Sequence, residues 1–257
     1  MKRRSFLKKS AAVSAGTLAA GAVAACSPSP VDPNSGSIKS AASIPENQRS
    51  IELKMVTTWP KNFPGLGTRA VEFADDVGKA TNGRIKIRVY AAEEMVPALQ
   101  AFDAVSQGNA DIYHGPDYYW QGKHPMFNFF GAVPLGLSAS EMTQWRQYGG
   151  GQELWDELSG RFNVKPMLCT ATGMQMGGWF NKEINSVEDF QGLKMRIPGL
   201  GGEVIKRMGG TPVTLSGGEI FLSLSQGNID ATEWIGPWND LAFGFHQVAE
   251  YYYTSAY

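Results

Sequence analysis

Gly192-Leu193-Lys194-Met195-Arg196-Ile197-Pro198-Gly199-Leu200-Gly201-Gly202 is the stretch whose reading decides the fold. Leu193, Met195 and Ile197 alternate as in a short strand, and Pro198 with Gly199 stops it. The glycines lead into a helical stretch at 203–208, so the pattern is strand, tight turn, helix. A helix start carries unpaired N–H groups and partial positive charge. Arg196, at the strand's end, adds a full charge on a fork that fits a carboxylate. In open α/β sheets ligands collect at the carboxyl ends of strands. These residues therefore predict that Arg196 holds a small organic acid; the plainer alternatives are a surface strand arginine or an internal salt bridge.

Working outward, the same order occurs twice. Residues 51–58 alternate through Ile51, Leu53 and Met55, 68–79 have helical spacing, 84–90 alternate again, and 96–106 are helical. That run closes in Ser106-Gln107-Gly108-Asn109-Ala110-Asp111. After Arg196 come a helix at 203–208, a strand at 212–215 and a helix at 220–225, closing in Ser225-Gln226-Gly227-Asn228-Ile229-Asp230. Gly108 and Gly227 sit where a left-handed helix cap favours glycine. The strand starts echo too, as Leu53-Lys54-Met55 and Leu193-Lys194-Met195. Two α/β lobes of similar plan follow. The expected division is 50–135 for the first lobe and 136–245 for the second, with 246–257 beginning a crossing strand and suggesting a truncated chain.

Between the repeats, 115–160 is rich in aromatic residues, including Tyr118-Tyr119-Trp120, and 141–148 and 152–158 read as helices. Residues 164–170 read as a strand holding Cys169 in an inert core position, and 176–181 as another strand.

The net charge of −1 hides an asymmetry. Residues 1–26 carry Lys2, Arg3, Arg4, Lys8 and Lys9 and no acid, which leaves 18 basic against 24 acidic residues in the remainder. That argues against a nucleic-acid or anionic-membrane surface. Arg3 and Arg4 open a twin-arginine export signal, and its alanine-rich run is too weakly apolar to span a bilayer. Val23-Ala24-Ala25-Cys26 has the pattern of a lipoprotein cleavage site, so Cys26 is a candidate for acylation, against an ordinary small-residue cleavage site. Residues 27–49 read as a disordered tether. With one of the two cysteines in the leader, no disulfide framework is available.

Phe190-Gln191-Gly192-Leu193-Lys194-Met195-Arg196-Ile197-Pro198-Gly199 resembles the arginine-strand motif of TRAP transporter solute-binding proteins. Gly209-Gly210-Thr211-Pro212-Val213 and the second Ser-Gln-Gly-Asn-x-Asp extend the match. Family members often continue with Gly and then Glu or Asn. Here Ala231-Thr232-Glu233-Trp234-Ile235-Gly236-Pro237-Trp238 is similar to the subgroup that binds α-keto acids such as pyruvate, or 2-hydroxy acids such as lactate, together with a cation. Residues 59–64 and 173–179 fit that subgroup. The resemblance implies a two-lobed periplasmic fold with a ligand cleft, a membrane permease as partner, and no covalent chemistry. The long C-terminal helices that some members use to dimerise are absent from this sequence, so a homodimer is an option for the full-length protein only.

The resemblance also implies the site. Arg196, Gln175 and Trp234 would touch the substrate, while Glu233, the Trp234 carbonyl and Gln175 would hold the cation. Arg196, Glu233 and a monocarboxylate sum to −1, and burying that excess is expensive. A monovalent cation balances it, and hard cations take oxygen ligands, so sodium is expected ahead of calcium. The alternative is a plain Glu233–Arg196 salt bridge.

Trp59, Tyr118, Tyr119 and Trp234 are candidates to wall the cleft, although core packing explains any one of them. His114, His124 and His246 lack ligand spacing and read as structural. An exported enzyme using the 199–202 glycine turn as an anion site is the competing function. Its Gly-x-Gly-x-x-Gly is incomplete, because the third glycine falls on Val204, and no P-loop Lys follows. A sensor or chaperone-like partner would leave Arg196 and Glu233 without a role.

Overall fold

The computed structural model describes residues 50–255, which all lie in one compact unit, Asn47–Tyr257. The signal at Arg3 and Arg4, the lipidation candidate Cys26 and the 27–49 tether fall outside the described residues.

The first sheet is built from β1 (Ile51–Thr57), β2 (Ile85–Tyr90) and β3 (Ile112–His114), in the order β2-β1-β3. Helices α1 (Leu66–Ala80) and α2 (Ala101–Ser106) make the two crossovers. All pairs are parallel, as crossover connections require. After α3 (Ala139–Tyr148) and α4 (Gly151–Gly160), the chain forms β4 (Gly178–Phe180), β5 (Lys194–Arg196), α5 (Gly199–Arg207), β6 (Thr211–Val213), α6 (Gly217–Ser225), β7 (Ala231–Thr232), α7 (Pro237–Phe243) and β8 (Tyr251–Tyr253). The second sheet runs β6-β5-β7-β4-β8, with β5 parallel to β6 and β7, and β4 antiparallel to β7 and β8. Its β6-β5-β7 core repeats the order of the first sheet.

The sequence repeat has a physical cause. In the first lobe, the Lys54 N–H donates to the Asp111 carboxylate at 2.7 Å and the Asp111 N–H donates to the Lys54 carbonyl at 3.0 Å. In the second, Lys194 N–H reaches the Asp230 carboxylate at 2.8 Å and Asp230 N–H the Lys194 carbonyl at 2.7 Å. Each aspartate thus stitches the helix-to-strand turn to the start of the central strand. Gly108 and Gly227 take the left-handed conformation, at φ 76° and 69°, that turns the chain from helix to strand. Asp230→Ala is expected to lower stability by about 1 kcal/mol, the worth of one such bond, read as a lower denaturant midpoint at unchanged slope.

Three apolar clusters fill the molecule. One gathers Val56, Phe102, Trp120, Phe127, Phe130, Trp155 and Leu158 beside the first sheet. Another packs Phe180, Leu193, Met195, Ile197 and Ile205 within the second. The third joins Trp59, Phe63 and Leu66, from the β1–α1 connection, to Ile220, Ile229 and Trp234. The expected boundary at 135–136 does not follow this packing. Trp155 and Leu158 of α4 enter the first lobe's core, and Trp145 of α3 packs against it. The helix pair reads as separate in sequence because its stripe faces a core made fifty residues earlier.

Further expectations are corrected. Residues 164–170 form no strand and pair with none among the described residues, so an apolar run alone did not make a ladder there. Cys169 is consequently exposed, not a core residue, although partial burial still raises its thiol pKa. The helices at 203–208 and 220–225 begin earlier, at Gly199 and Gly217, because the glycine-rich turns are themselves helical. Tyr251–Tyr253 has a partner: it pairs with β4, and Tyr252 stacks on Trp179 at 4.3 Å. Among the described residues no helix is long and apolar enough to cross a membrane.

Candidate functional site

Adjacent parallel strands β5 and β7 end side by side. Arg196 is the last residue of β5 and pairs with Thr232, the last of β7, so Glu233 leaves the sheet beside it. The Glu233 N–H donates to the Arg196 carbonyl at 3.0 Å, which fixes that register. The loop beyond is pinned by Asp240 of α7, whose carboxylate accepts from the N–H groups of Ile235 (3.2 Å) and Gly236 (3.0 Å) and from Trp179 Nε1 (3.0 Å). Burial raises the Asp240 pKa against those three bonds.

Arg196 is 1% exposed. Its Nε donates to the Leu215 carbonyl (3.2 Å), Nη1 to the Glu233 carbonyl (2.8 Å) and Nη2 to the Tyr119 hydroxyl (3.1 Å). A guanidinium has five N–H groups, so two remain for another acceptor. Its charge lies over the Trp234 ring at 4.8 Å and near the Tyr119 ring at 5.9 Å. The Tyr119 bond spans from the first lobe's core to the second lobe's strand end.

Glu233 is 2% exposed, with Oε2 3.6 Å from Arg196 Nη1 and Oε1 without any hydrogen-bond partner among the described residues. Burial raises its pKa to about 8, against the lowering pull of Arg196 and with a further rise from Asp240. A buried, unpaired carboxylate oxygen is costly unless something positive or a proton meets it. Trp234 Nε1 is buried and unpaired as well.

Glu233 lines a narrow cleft of about 10 Å³, room for roughly one water, with Tyr118, Ala132, Gln175, Pro198, Gly199 and Gly201. The first turn of α5 forms one wall. Gly199 permits the approach: its φ is 65°, and a Cβ there would meet Tyr118 at 3.2 Å and the Asn128 amide oxygen at 3.3 Å. Gln175 stands on the rim, its Nε2 donating to the Thr172 hydroxyl at 3.0 Å, which leaves Oε1 to the cleft.

Of the residues singled out in the sequence, Glu233 and Gln175 line the cleft, while Arg196 adjoins Glu233 and Trp234, and neither Arg196 nor Trp234 is among the lining residues. Tyr118 lines the cleft, Tyr119 bonds Arg196, and Trp59 backs Trp234 edge-on at 6.1 Å. The Leu215 carbonyl and Asp240 were not singled out, and a main-chain acceptor leaves no mark in sequence. Among the described residues no group of three His, Cys, Asp or Glu side chains could hold a metal. A cation here would be held by one carboxylate with neutral oxygens. The unpaired Glu233 Oε1 fits that role, as do the Gln175 amide oxygen and the Trp234 carbonyl.

The chain has relatives among known proteins. The chain is 42% identical over 253 residues to the monocarboxylate 2-oxoacid-binding periplasmic protein of Nostoc sp., covering 98% of this chain and 65% of the relative. A TRAP periplasmic solute-binding protein from Pseudoalteromonas atlantica, solved with bound sodium and pyruvate, superposes with a TM-score of 0.78 at 42% identity, over 80% of this chain and 63% of that one. Another from Colwellia psychrerythraea, with bound calcium and pyruvate, gives 0.77 at 44%, with the same coverage. The chain therefore spans just under two thirds of the length of these relatives. Residues 55–256 match the model of the bacterial extracellular solute-binding proteins of family 7, and the chain belongs to that DctP family of TRAP solute-binding proteins.

Proposed function

We propose that this chain is the ligand-binding part of a TRAP solute-binding protein for a small 2-oxo or 2-hydroxy monocarboxylate such as pyruvate or lactate. The observation that carries the reading is the buried Arg196–Glu233 pair at the cleft, with two N–H groups and one carboxylate oxygen still unpaired. The spare N–H groups suit the ligand carboxylate, and Glu233 Oε1 suits a cation that offsets the ligand's charge. A bound cation supplies positive charge that the ligand's second oxygen can share. Glu233, Gln175 and the Trp234 carbonyl would hold it, sodium ahead of calcium; similar structures carry either ion with pyruvate.

The chain's own residues bind and orient. Arg196 fixes the carboxylate end, Trp234 and Tyr118 exclude water, and the Tyr119–Arg196 bond ties the first lobe to the occupied site. A cleft of about 10 Å³ is too small for a three-carbon acid, so the lobes part to admit one and close again. The closed form, delivered in the periplasm after twin-arginine export and with or without an anchor at Cys26, is what a membrane permease would recognise. No step makes or breaks a covalent bond.

The glycine turn favoured by an enzyme reading is the first turn of α5 and faces this same cleft, so no second anion site is needed to explain it. Native mass spectrometry of the purified full-length protein should show a co-purified acid of pyruvate or lactate mass with one cation. The acid should return unchanged after heat release. A phosphorylated ligand, or a chemically altered one, would overturn the reading.

A further inference from the structure

The internal repeat places a residue of the first sheet where the second sheet places Glu233. In the second lobe Met195 pairs with Ala231 and Arg196 with Thr232, and Glu233 follows. In the first, Met55 pairs with Ile112 and Val56 with Tyr113, and His114 follows. An imidazole thus stands at the carboxyl end of β3 in the position of the buried carboxylate. It has one side-chain partner among the described residues: Trp59 Nε1 donates to its Nδ1 at 2.8 Å, with the rings edge to face at 5.9 Å. An indole only donates, so Nδ1 holds a lone pair and the neutral ring carries its proton on Nε2. Trp59 meets Trp234 edge-on at 6.1 Å, and Trp234 underlies the Arg196 guanidinium at 4.8 Å. The path from β3 to Arg196 is continuous contact through two indoles.

We propose that His114 is a positioning residue of the binding site: by accepting from the Trp59 indole, it fixes the ring that backs Trp234 and so the aromatic floor under Arg196. This rests on Arg196 being the ligand's partner.

Among the titratable groups nearby, Glu233 is shared by every variant compared below, so the imidazole is the group that the His114 substitutions change. Across β1 it meets Thr57 and Thr58, which do not titrate. Tyr113 and Asp117 bond each other, and Asp117 also takes the Trp155 indole. Arg196 and Glu233 lie beyond Trp234. Burial alone lowers the His114 pKa, so the ring is neutral near pH 7. Protonation at lower pH turns Nδ1 into a donor facing a donor and breaks the bond to Trp59.

The test is calorimetric titration of pyruvate in saturating sodium, from pH 8 to pH 5, on wild type, His114→Leu and His114→Gln. Leucine cannot accept from Trp59, and its affinity at pH 8 should be about tenfold weaker, the worth of one hydrogen bond to the ring. Glutamine accepts but does not titrate, so it should restore most of that loss. The ratio of wild-type to His114→Gln dissociation constants should rise once the pH falls far enough to protonate His114, and Glu233, common to both, cancels from it. Leucine binding as tightly as wild type, or glutamine restoring none of the loss, would overturn the proposal. Should wild type bind no pyruvate, the ligand assignment fails instead. The proposal is then judged on ligand-free protein, by an acid-induced change in tryptophan emission. Measured in a Glu233→Gln background, which removes the titrating carboxylate beside Trp234, that change should shrink in both His114→Gln and Trp59→Phe; a change as large as in the background alone overturns the proposal.

Discussion

Arg196→Ala is expected to weaken pyruvate binding by about 2–5 kcal/mol, the cost of truncating one partner of a buried charge pair. Calorimetry on the full-length protein in saturating sodium reads this directly. The loss has two sources. The ligand carboxylate would face the two spare N–H groups, and it loses both. Glu233, 3.6 Å away and 2% exposed, is left without its counter-charge. The Leu215 and Glu233 carbonyls and the Tyr119 hydroxyl also lose their donor, so the variant should unfold at lower denaturant. Arg196→Lys separates charge from shape. An ammonium keeps the charge but cannot make three divergent bonds while presenting a fork to a carboxylate. Its affinity should fall between wild type and alanine. Unchanged affinity in Arg196→Ala would remove the ligand role and leave a structural arginine.

Glu233→Gln should abolish cation dependence. Arg196 and a monocarboxylate balance by themselves once the carboxylate at 233 is gone, so no cation is needed for neutrality. Wild type is expected to lose affinity when sodium and divalent ions are removed, whereas the variant's affinity should stay flat across the same titration. At saturating sodium the variant should bind roughly tenfold or more weakly, because the ion's bridge to the ligand is lost. A wild type indifferent to every cation would refute the charge-balance argument. The pH dependence follows with a definite sign. The folded-state pKa of Glu233 is raised to about 8 from the ordinary 4.5, so the native state binds this proton more tightly than the unfolded chain. Its contribution to stability is fully present below pH 4.5 and is lost as pH rises toward 8. Ligand-free, sodium-free wild type should therefore lose stability relative to Glu233→Gln across that window. Sodium with pyruvate should remove the difference, because the ion replaces the proton.

The strand that ends in Arg196 and the aspartate-locked turns were legible because they sit in short motifs. Gly-Leu-Lys-Met-Arg names a strand ending in a cation, and Ser-Gln-Gly-Asn-x-Asp names a helix-to-strand turn locked by its aspartate. Both are local, with hydrogen bonds formed between the aspartate and one strand start. The 164–170 segment shows the limit of the same reasoning. Its apolar run is real, but a strand needs a neighbour, and composition does not supply one. Cys169 went from expected core to exposed for that reason alone.

The sequence by itself determined the repeated βαβαβ plan and the charge that ends each strand, because periodicity, glycine caps and side-chain chemistry act within a few residues. Only the tertiary structure decided that α3 and α4 belong to the first core, that the Tyr119 hydroxyl and the Leu215 carbonyl consume two of the Arg196 donors, and that His114 holds Trp59. These depend on which surfaces bury one another across 19 to 77 positions of chain. The gain from that burial is spread over whole faces, so no single stretch of residues announces it.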